Sequence, residues 1–292
     1  MEQPFALLEA AISCGSPTRG AHLAYDALVQ AGLPALLGDA VCYPMEKLEP
    51  CPHYPPHLLH LDTVMAVSQA LRANLLIALE QGQFPVVIGG DHSVAMGSLA
   101  ALGERYGADR LAVVYIDAHA DINTERTSVT GCIHGMDLAA ACGLCCPELT
   151  VGRQRVNLLG QNLYILGGRS IDPPEYDILA QQGAHLYPPE QLAGDGLARV
   201  LGEILPQLAD KQVHISFDVD SLDPSEFSAT GYRIPNGLTL EQVHAILREV
   251  LATGRTRCFE CVEYNPTLDA DGRDLAALLE IFQLVANTLA EA

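Results

Sequence analysis

Apolar and polar positions alternate along this chain in two rhythms. Short apolar runs occur at 85–88, 111–116, 162–166, 215–217 and 257–262, the lengths typical of buried strands. Between them lie longer stretches with apolar residues three and four apart. These predict helices over Asp62–Glu80, Val94–Tyr106, Pro189–Leu208, Thr239–Ala252 and Asp274–Leu289. Strands alternating with helices predict βαβ units, hence a parallel sheet with helices on both faces. No repeat, low-complexity tract or linker interrupts the pattern, so residues 1–292 read as a single domain. Residues 122–135 read as a loop. Tyr43–Pro56, rich in Pro and His, reads as a surface excursion.

Three of the apolar runs end in chemistry. Val113-Val114-Tyr115-Ile116 runs into Asp117-Ala118-His119-Ala120-Asp121. Period two is the strand repeat, so Asp117, His119 and Asp121 share a face if the extended conformation persists. Ile215-Ser216-Phe217 leads to Asp218 and Asp220, again two apart, and Pro85–Ile88 leads to Gly89-Gly90-Asp91-His92. Ligand sites in open parallel sheets form at the carboxyl ends of strands. The pooled donors are His92, Asp117, His119, Asp121, Asp218 and Asp220. Two imidazoles and four carboxylates exceed the needs of one tetrahedral zinc and suit harder divalent ions, with the imidazoles favouring Mn²⁺ over Mg²⁺. Shared carboxylates can bridge two ions about 3.5 Å apart, as in two-metal hydrolytic sites. Taken singly, each Asp is equally a turn or helix cap.

Composition narrows the partners. At 292 residues and 49% hydrophobic, the chain can bury a large core. A formal net charge of −20 argues against nucleic acid and favours small cations. No basic segment precedes a long apolar one and no run of eighteen apolar residues occurs, which predicts a cytoplasmic protein without a membrane span. Nine cysteines are an odd number. Cys142 and Cys145 form one C-x-x-C pair, Cys258 and Cys261 another. The second pair falls in a strand, where an i, i+3 spacing points to opposite faces, so reduced, buried thiols are expected rather than a zinc site.

The motifs Gly-Gly-Asp-His-Ser at 89–93, Asp-Ala-His-Ala-Asp at 117–121 and Ser-Phe-Asp-Val-Asp-Ser-Leu-Asp-Pro at 216–224 resemble those of the ureohydrolases, arginase and agmatinase among them. Ile133-His134-Gly135, Gly168-Arg169 through Asp172-Pro173, and Glu263-Tyr264-Asn265-Pro266 extend the likeness from about Gly20 to Pro266, and the arginase branch is the most similar. The resemblance implies a three-layer α/β/α sandwich around a mostly parallel sheet of about eight strands. It implies two Mn²⁺ per chain. One is held by His92, Asp117, Asp121 and Asp218, the other by His119, Asp117, Asp218 and Asp220. A metal-bridging hydroxide oriented by Asp121 would then cleave the guanidinium of L-arginine to urea and L-ornithine.

By the same resemblance, Glu263 binds the guanidinium and His134 protonates the leaving amine. Asn123, Thr130 and Cys132 occupy the positions that hold the substrate carboxylate. Thr130 stands for a Ser and Cys132 for an Asn, which is a departure. Asp172 matches the contact to the α-amino group, with Glu175 as helper, while Ser170 replaces an Asp. Agmatine, which lacks a carboxylate, is therefore the alternative substrate, or another guanidino acid. A single-zinc deacetylase-like amidohydrolase is a further alternative, and a catalytically dead binding protein a third. The family commonly forms homotrimers or homohexamers. Asp91 and Asp223 are expected in turn or supporting duties. His22, His53, His57, His60, His185, His214 and His244 receive no role.

Overall fold

In the computed structural model, residues 3–51 and 54–292 are described. Eight strands are present among them: β1 (Phe5–Ala10), β2 (Val41–Tyr43), β3 (Phe84–Gly89), β4 (Leu111–Ile116), β5 (Leu163–Leu166), β6 (His185–Tyr187), β7 (Gln212–Asp218) and β8 (Thr256–Val262). They form one sheet in the order β2-β1-β3-β8-β7-β4-β5-β6, and every pairing in it is parallel. The sheet is as expected, without the antiparallel strand that "mostly" left room for.

Strand periodicity divides the core into two layers. Val113 and Tyr115 of β4 face one layer, with Leu71, Leu75 and Leu99 from the helices Leu61–Glu80 and Ala95–Tyr106. Val114 and Ile116 face the other, with Ile204, Leu247 and Ile281 from the helices Gly196–Leu208, Leu240–Leu251 and Arg273–Glu291. Cys258 joins the first layer and Cys261 the second, as the i, i+3 spacing requires. Burying each such Leu or Ile contributes about 1.5–3 kcal/mol, so docking the helices onto the sheet is the main source of stability.

Several boundaries differ from expectation. The stretch 189–208 is two helices, Pro189–Leu192 and Gly196–Leu208, because the chain turns at Gly194 with φ of 54°. Helix Leu240–Leu251 starts one residue late because Thr239 is its cap, in a reciprocal capping box with Gln242. His92–Val94 is a separate 3₁₀ turn before helix Ala95–Tyr106, and Ile133–Met136 is another inside the expected loop. The excursion from Tyr43 begins as the end of β2 and continues without regular structure. Pro52 and His53 within it lie outside the described residues. Among the described residues no helix is long and apolar enough to cross a membrane.

Candidate metal centre

The four central strands β3, β8, β7 and β4 all deliver side chains to one point beyond their carboxyl ends. At β3 the chain must turn against the segment after β1. A Cβ on Gly90 would lie 1.5 Å from the Ile12 carbonyl oxygen, so only glycine fits there. Asp91 then caps the His92–Val94 turn and accepts the Gly15 N–H at 2.8 Å, which fixes the direction of His92. Asp223 serves a turn as expected, accepting from Ser225 and Gly237.

His92 is fully buried. Its Nε2 lies 2.9 Å from the Ser216 hydroxyl, which donates to Glu260 at 3.0 Å. Its Nδ1 faces Asp117, Asp218 and Asp121 at 3.0, 3.2 and 3.4 Å. The second imidazole, His119, presents Nδ1 to Asp220 at 3.1 Å and to Asp117 at 3.4 Å. All six donors expected from the sequence therefore meet, but not on a continued strand. β4 ends at Ile116, and Asp121 is turned inward by a left-handed backbone, φ 45°. A non-glycine residue held there costs about 1–3 kcal/mol.

Three buried or nearly buried groups can each hold a cation: His92 with Asp117 and Asp218, Asp117 with His119 and Asp220, and His92 with Asp121 and Asp137. Asp117 belongs to two of them. Among the described residues its buried Oδ2 has no partner but the His92 ring at 3.0 Å, a place that a cation between the two could take. Burial, with Asp220 and Asp117 close by, pushes the Asp218 carboxyl well above the usual carboxylate range. Burial also opposes charge on Asp220, but His119 outweighs it and holds Asp220 low. Burial likewise opposes protonation of His92, yet the three carboxylates around Nδ1 raise it well above the ordinary imidazole value. A cation can replace that proton and relieve the crowded negative charge.

Beside this cluster, Glu263 ends β8 in another left-handed turn, φ 64°. Its backbone N–H donates to Gly90 at 2.8 Å and its Oε1 accepts the His92 backbone N–H at 3.1 Å. The same oxygen lies 3.4 Å from Nδ1 of His134. Tyr232, to which no motif pointed, stacks on His134 at 5.8 Å and meets His119 edge-on at 5.5 Å. Its phenol walls the less buried side of the cluster.

The expected substrate loop is tied to the helix Pro173–Gln182. Asn123 donates to Asp172 at 2.9 Å and accepts from Thr127 at 2.8 Å, so both ends of its amide are engaged. Glu175 is buried, and its two oxygens accept the N–H groups of Ile122 and Asp172. Burial lifts its carboxyl to about 7, against those bonds. Thr130 is exposed and its hydroxyl accepts the Cys132 N–H at 3.1 Å. Cys132 is buried, at the start of the turn that carries His134.

Four more residues were not expected at the site. Tyr115, Asp137, Ser216 and Glu260 are buried directly behind the cluster. Strand alternation from Asp117 back to Tyr115 and from Asp218 back to Ser216 was the available signal. His214, one more strand step back, lies 3.6 Å from Glu260. Arg169, within the Gly168-Arg169 motif, donates to the carbonyls of Asp220, Ser221 and Ile234 at 2.9, 3.0 and 2.7 Å, clamping the loop that follows β7.

A carboxylate–imidazole cluster that could hold metal ions thus lies at the carboxyl ends of the central strands of a parallel sheet, with Glu263 beside it, an arrangement of the kind found in hydrolases. The family model of the arginase family matches residues 3–288. The arginase of Bacillus caldovelox is 32% identical over 279 residues, covering 91% of this chain and 92% of that one. Its native structure superposes with a TM-score of 0.90 at 29% identity, covering 99% of each chain. Entamoeba histolytica arginase in complex with L-ornithine gives a TM-score of 0.87 at 25% identity, over 97% of this chain and 99% of that one. The chain belongs to the arginase family and is a ureohydrolase.

Proposed function

We propose that this ureohydrolase cleaves L-arginine to urea and L-ornithine with two Mn²⁺ per chain. The observation that carries the reading is the position of Asp117, shared by the His92–Asp218 and His119–Asp220 groups. The donor set, two imidazoles among carboxylates, fits Mn²⁺ better than tetrahedral zinc. His92, Asp117, Asp121 and Asp218 would hold one ion, and His119, Asp117, Asp218 and Asp220 the other. When bound, such a pair lowers the pKa of water and so supplies a nucleophile at neutral pH.

The chain's own residues account for the rest. Glu263 pairs with the guanidinium through charge-assisted hydrogen bonds and sets its carbon beside the cluster. Asp121 would orient the attacking oxygen by accepting a hydrogen bond from it. His134, held against Glu263, delivers a proton to the departing amine nitrogen. At the far end, Asp172, with Glu175 behind it, receives the α-amino group, and Asn123, Thr130 and Cys132 face the carboxylate. Residues 1–292 act as one catalytic domain, since one sheet runs from Phe5 to Val262. The net charge of −20 suits a small cationic substrate rather than nucleic acid. Cytoplasmic residence is supported by the buried thiols of Cys142, Cys145, Cys258 and Cys261, none of which is in a disulfide. Assembly as a homotrimer or homohexamer completes the proposal.

A specific observation favours agmatine as the second reading. Asn123 already spends its amide on Thr127 and Asp172, and Cys132 offers only a thiol, a weak donor. Urea release from arginine, agmatine and other ω-guanidino acids, with metal content measured on the same sample, decides. Cleavage of arginine with two Mn²⁺ per chain supports the proposal. Agmatine cleaved far better than arginine replaces the substrate, and no urea from any of them overturns the reading.

A further inference from the structure

We propose that Tyr115 and Asp137 form a buried positioning pair that sets the affinity of the His92 side of the centre for its ion. The inference rests on the two-ion reading above. Tyr115 stacks flat on the His92 ring, with centroids 4.5 Å apart and planes 4° from parallel. Its hydroxyl oxygen lies 2.9 Å from Asp121 Oδ2, 3.0 Å from His92 Nδ1, and 3.1 and 3.3 Å from the two oxygens of Asp137. Three carboxylate oxygens and the His92 ring nitrogen thus surround one phenolic hydroxyl. Asp137 is fully buried, and among the described residues its carboxylate has no other hydrogen-bond donor. It stands close enough to His92 and Asp121 to complete a third ion-holding group, with the phenol between.

The arrangement has a direct physical consequence. A phenol donates one hydrogen bond. The Asp137 carboxylate competes for it, so Asp121 Oδ2 is steadied by Tyr115 without being fully capped and keeps its charge for a cation. Asp121 needs such support, because its backbone is left-handed and Tyr115 at 2.9 Å is a closer partner of its carboxylate than His92 at 3.4 Å. An amide in place of Asp137 would donate to the phenol oxygen and turn the phenol's own hydrogen bond toward Asp121. Loss of the hydroxyl would leave Asp121 unsupported. Both changes disfavour an ion on the His92 side. Among the described residues neither makes a hydrogen bond or ring contact with His119 or Asp220, so the second position should be spared. Supporting hydrogen bonds of this type commonly alter metal affinity 10–100-fold.

The test is calorimetric titration of the metal-free protein with Mn²⁺ alone, for the parent, Tyr115→Phe, Asp137→Asn and the double variant. Thermal unfolding of each metal-free form is recorded alongside. Expected are two binding steps in the parent. One step weakens by about 10–100-fold in either single variant, and the double variant is no worse than the weaker single one, because the two residues act as a unit. The other step stays within about two-fold of the parent. The pair is overturned if both steps persist unchanged. It is also overturned if Asp137→Asn alone weakens binding, or if both steps weaken together with lost stability of the metal-free form. A parent that binds Mn²⁺ in one step or none overturns the two-ion reading instead.

Discussion

Oε1 of Glu263 lies 3.4 Å from Nδ1 of His134, so the expected guanidinium anchor and the expected proton donor are a pair before substrate arrives. Burial opposes charge on His134, but Glu263 outweighs it and raises the imidazole above its usual value. A donor must be protonated, so kcat/KM should fall as pH rises through that elevated pKa. Glu263→Gln removes the carboxylate and should move this limb to lower pH. A limb that stays in place in the variant rules out the coupling.

Glu263→Gln should also cost several kcal/mol of transition-state binding, because a buried charged hydrogen bond is lost. Its metal content should match the parent. His134→Asn should lower kcat about 10²-fold, the usual scale for a general acid, and abolish the alkaline limb. Unchanged kcat/KM on guanidino substrates in either variant removes that residue's role.

Asp117→Ala should be the most damaging single change at the centre. Both main ion-holding groups use this residue, so metal analysis should show loss at both positions and urea release should vanish. A variant that retains two ions and activity refutes the shared carboxylate.

Cys132→Asn restores an amide where the chain has a thiol. If arginine is the substrate, a missing hydrogen bond to its carboxylate costs about 1–3 kcal/mol, and the variant should show a lower KM for arginine. KM for agmatine, which has no carboxylate, should not move. Equal effects on both substrates would place Cys132 away from the carboxylate.

Away from the site, Arg72 grips Glu104 with two hydrogen bonds, and the backbone N–H of Arg153 adds a third at 2.8 Å. Arg72 holds the Glu104 carboxyl below its ordinary 4.5. A depressed acid contributes stability that is present above the unfolded pKa and is lost as pH falls through the folded one. Glu104→Gln should therefore cost about 1–2 kcal/mol at pH 7 in urea denaturation. The gap between parent and variant should close in strongly acidic buffer. A gap independent of pH excludes an electrostatic origin.

The helix Leu61–Glu80 and strands β3, β4 and β8 were legible because their periodicity and their burial agree. β1 was not. Phe5–Ala10 reads Phe-Ala-Leu-Leu-Glu-Ala, a good helix composition, and becomes a strand only because neighbours pair with it on both edges. β2 and β6 have three residues each, too few for a period to show. The six donors were legible because each follows an apolar run directly. Asp137 was not, since an Asp at the first position of helix Asp137–Ala141 resembles an ordinary helix start. Only the tertiary fold buries it. Asp172 and Glu175 carried the opposite lesson: Asp-Pro-Pro-Glu is also a capping-box signature, and the helix Pro173–Gln182 uses it as one.

The order of strands has a consequence for biosynthesis. The ribosome releases β1 to β6 first, yet β3 and β4 are never neighbours, since β8 and β7 separate them in the sheet. Until residues 212–262 have emerged, the nascent chain can build only two three-stranded halves, each with an inner edge unpaired, β3 in one and β4 in the other. Unpaired edges invite wrong partners and aggregation. The late strands that close this gap are the ones that bring in Asp218, Asp220, Glu260 and Glu263. Sealing the sheet and completing the centre therefore depend on the same late segment, and a chain truncated before Gln212 lacks β7 and β8 and, with them, Asp218, Asp220 and Glu263.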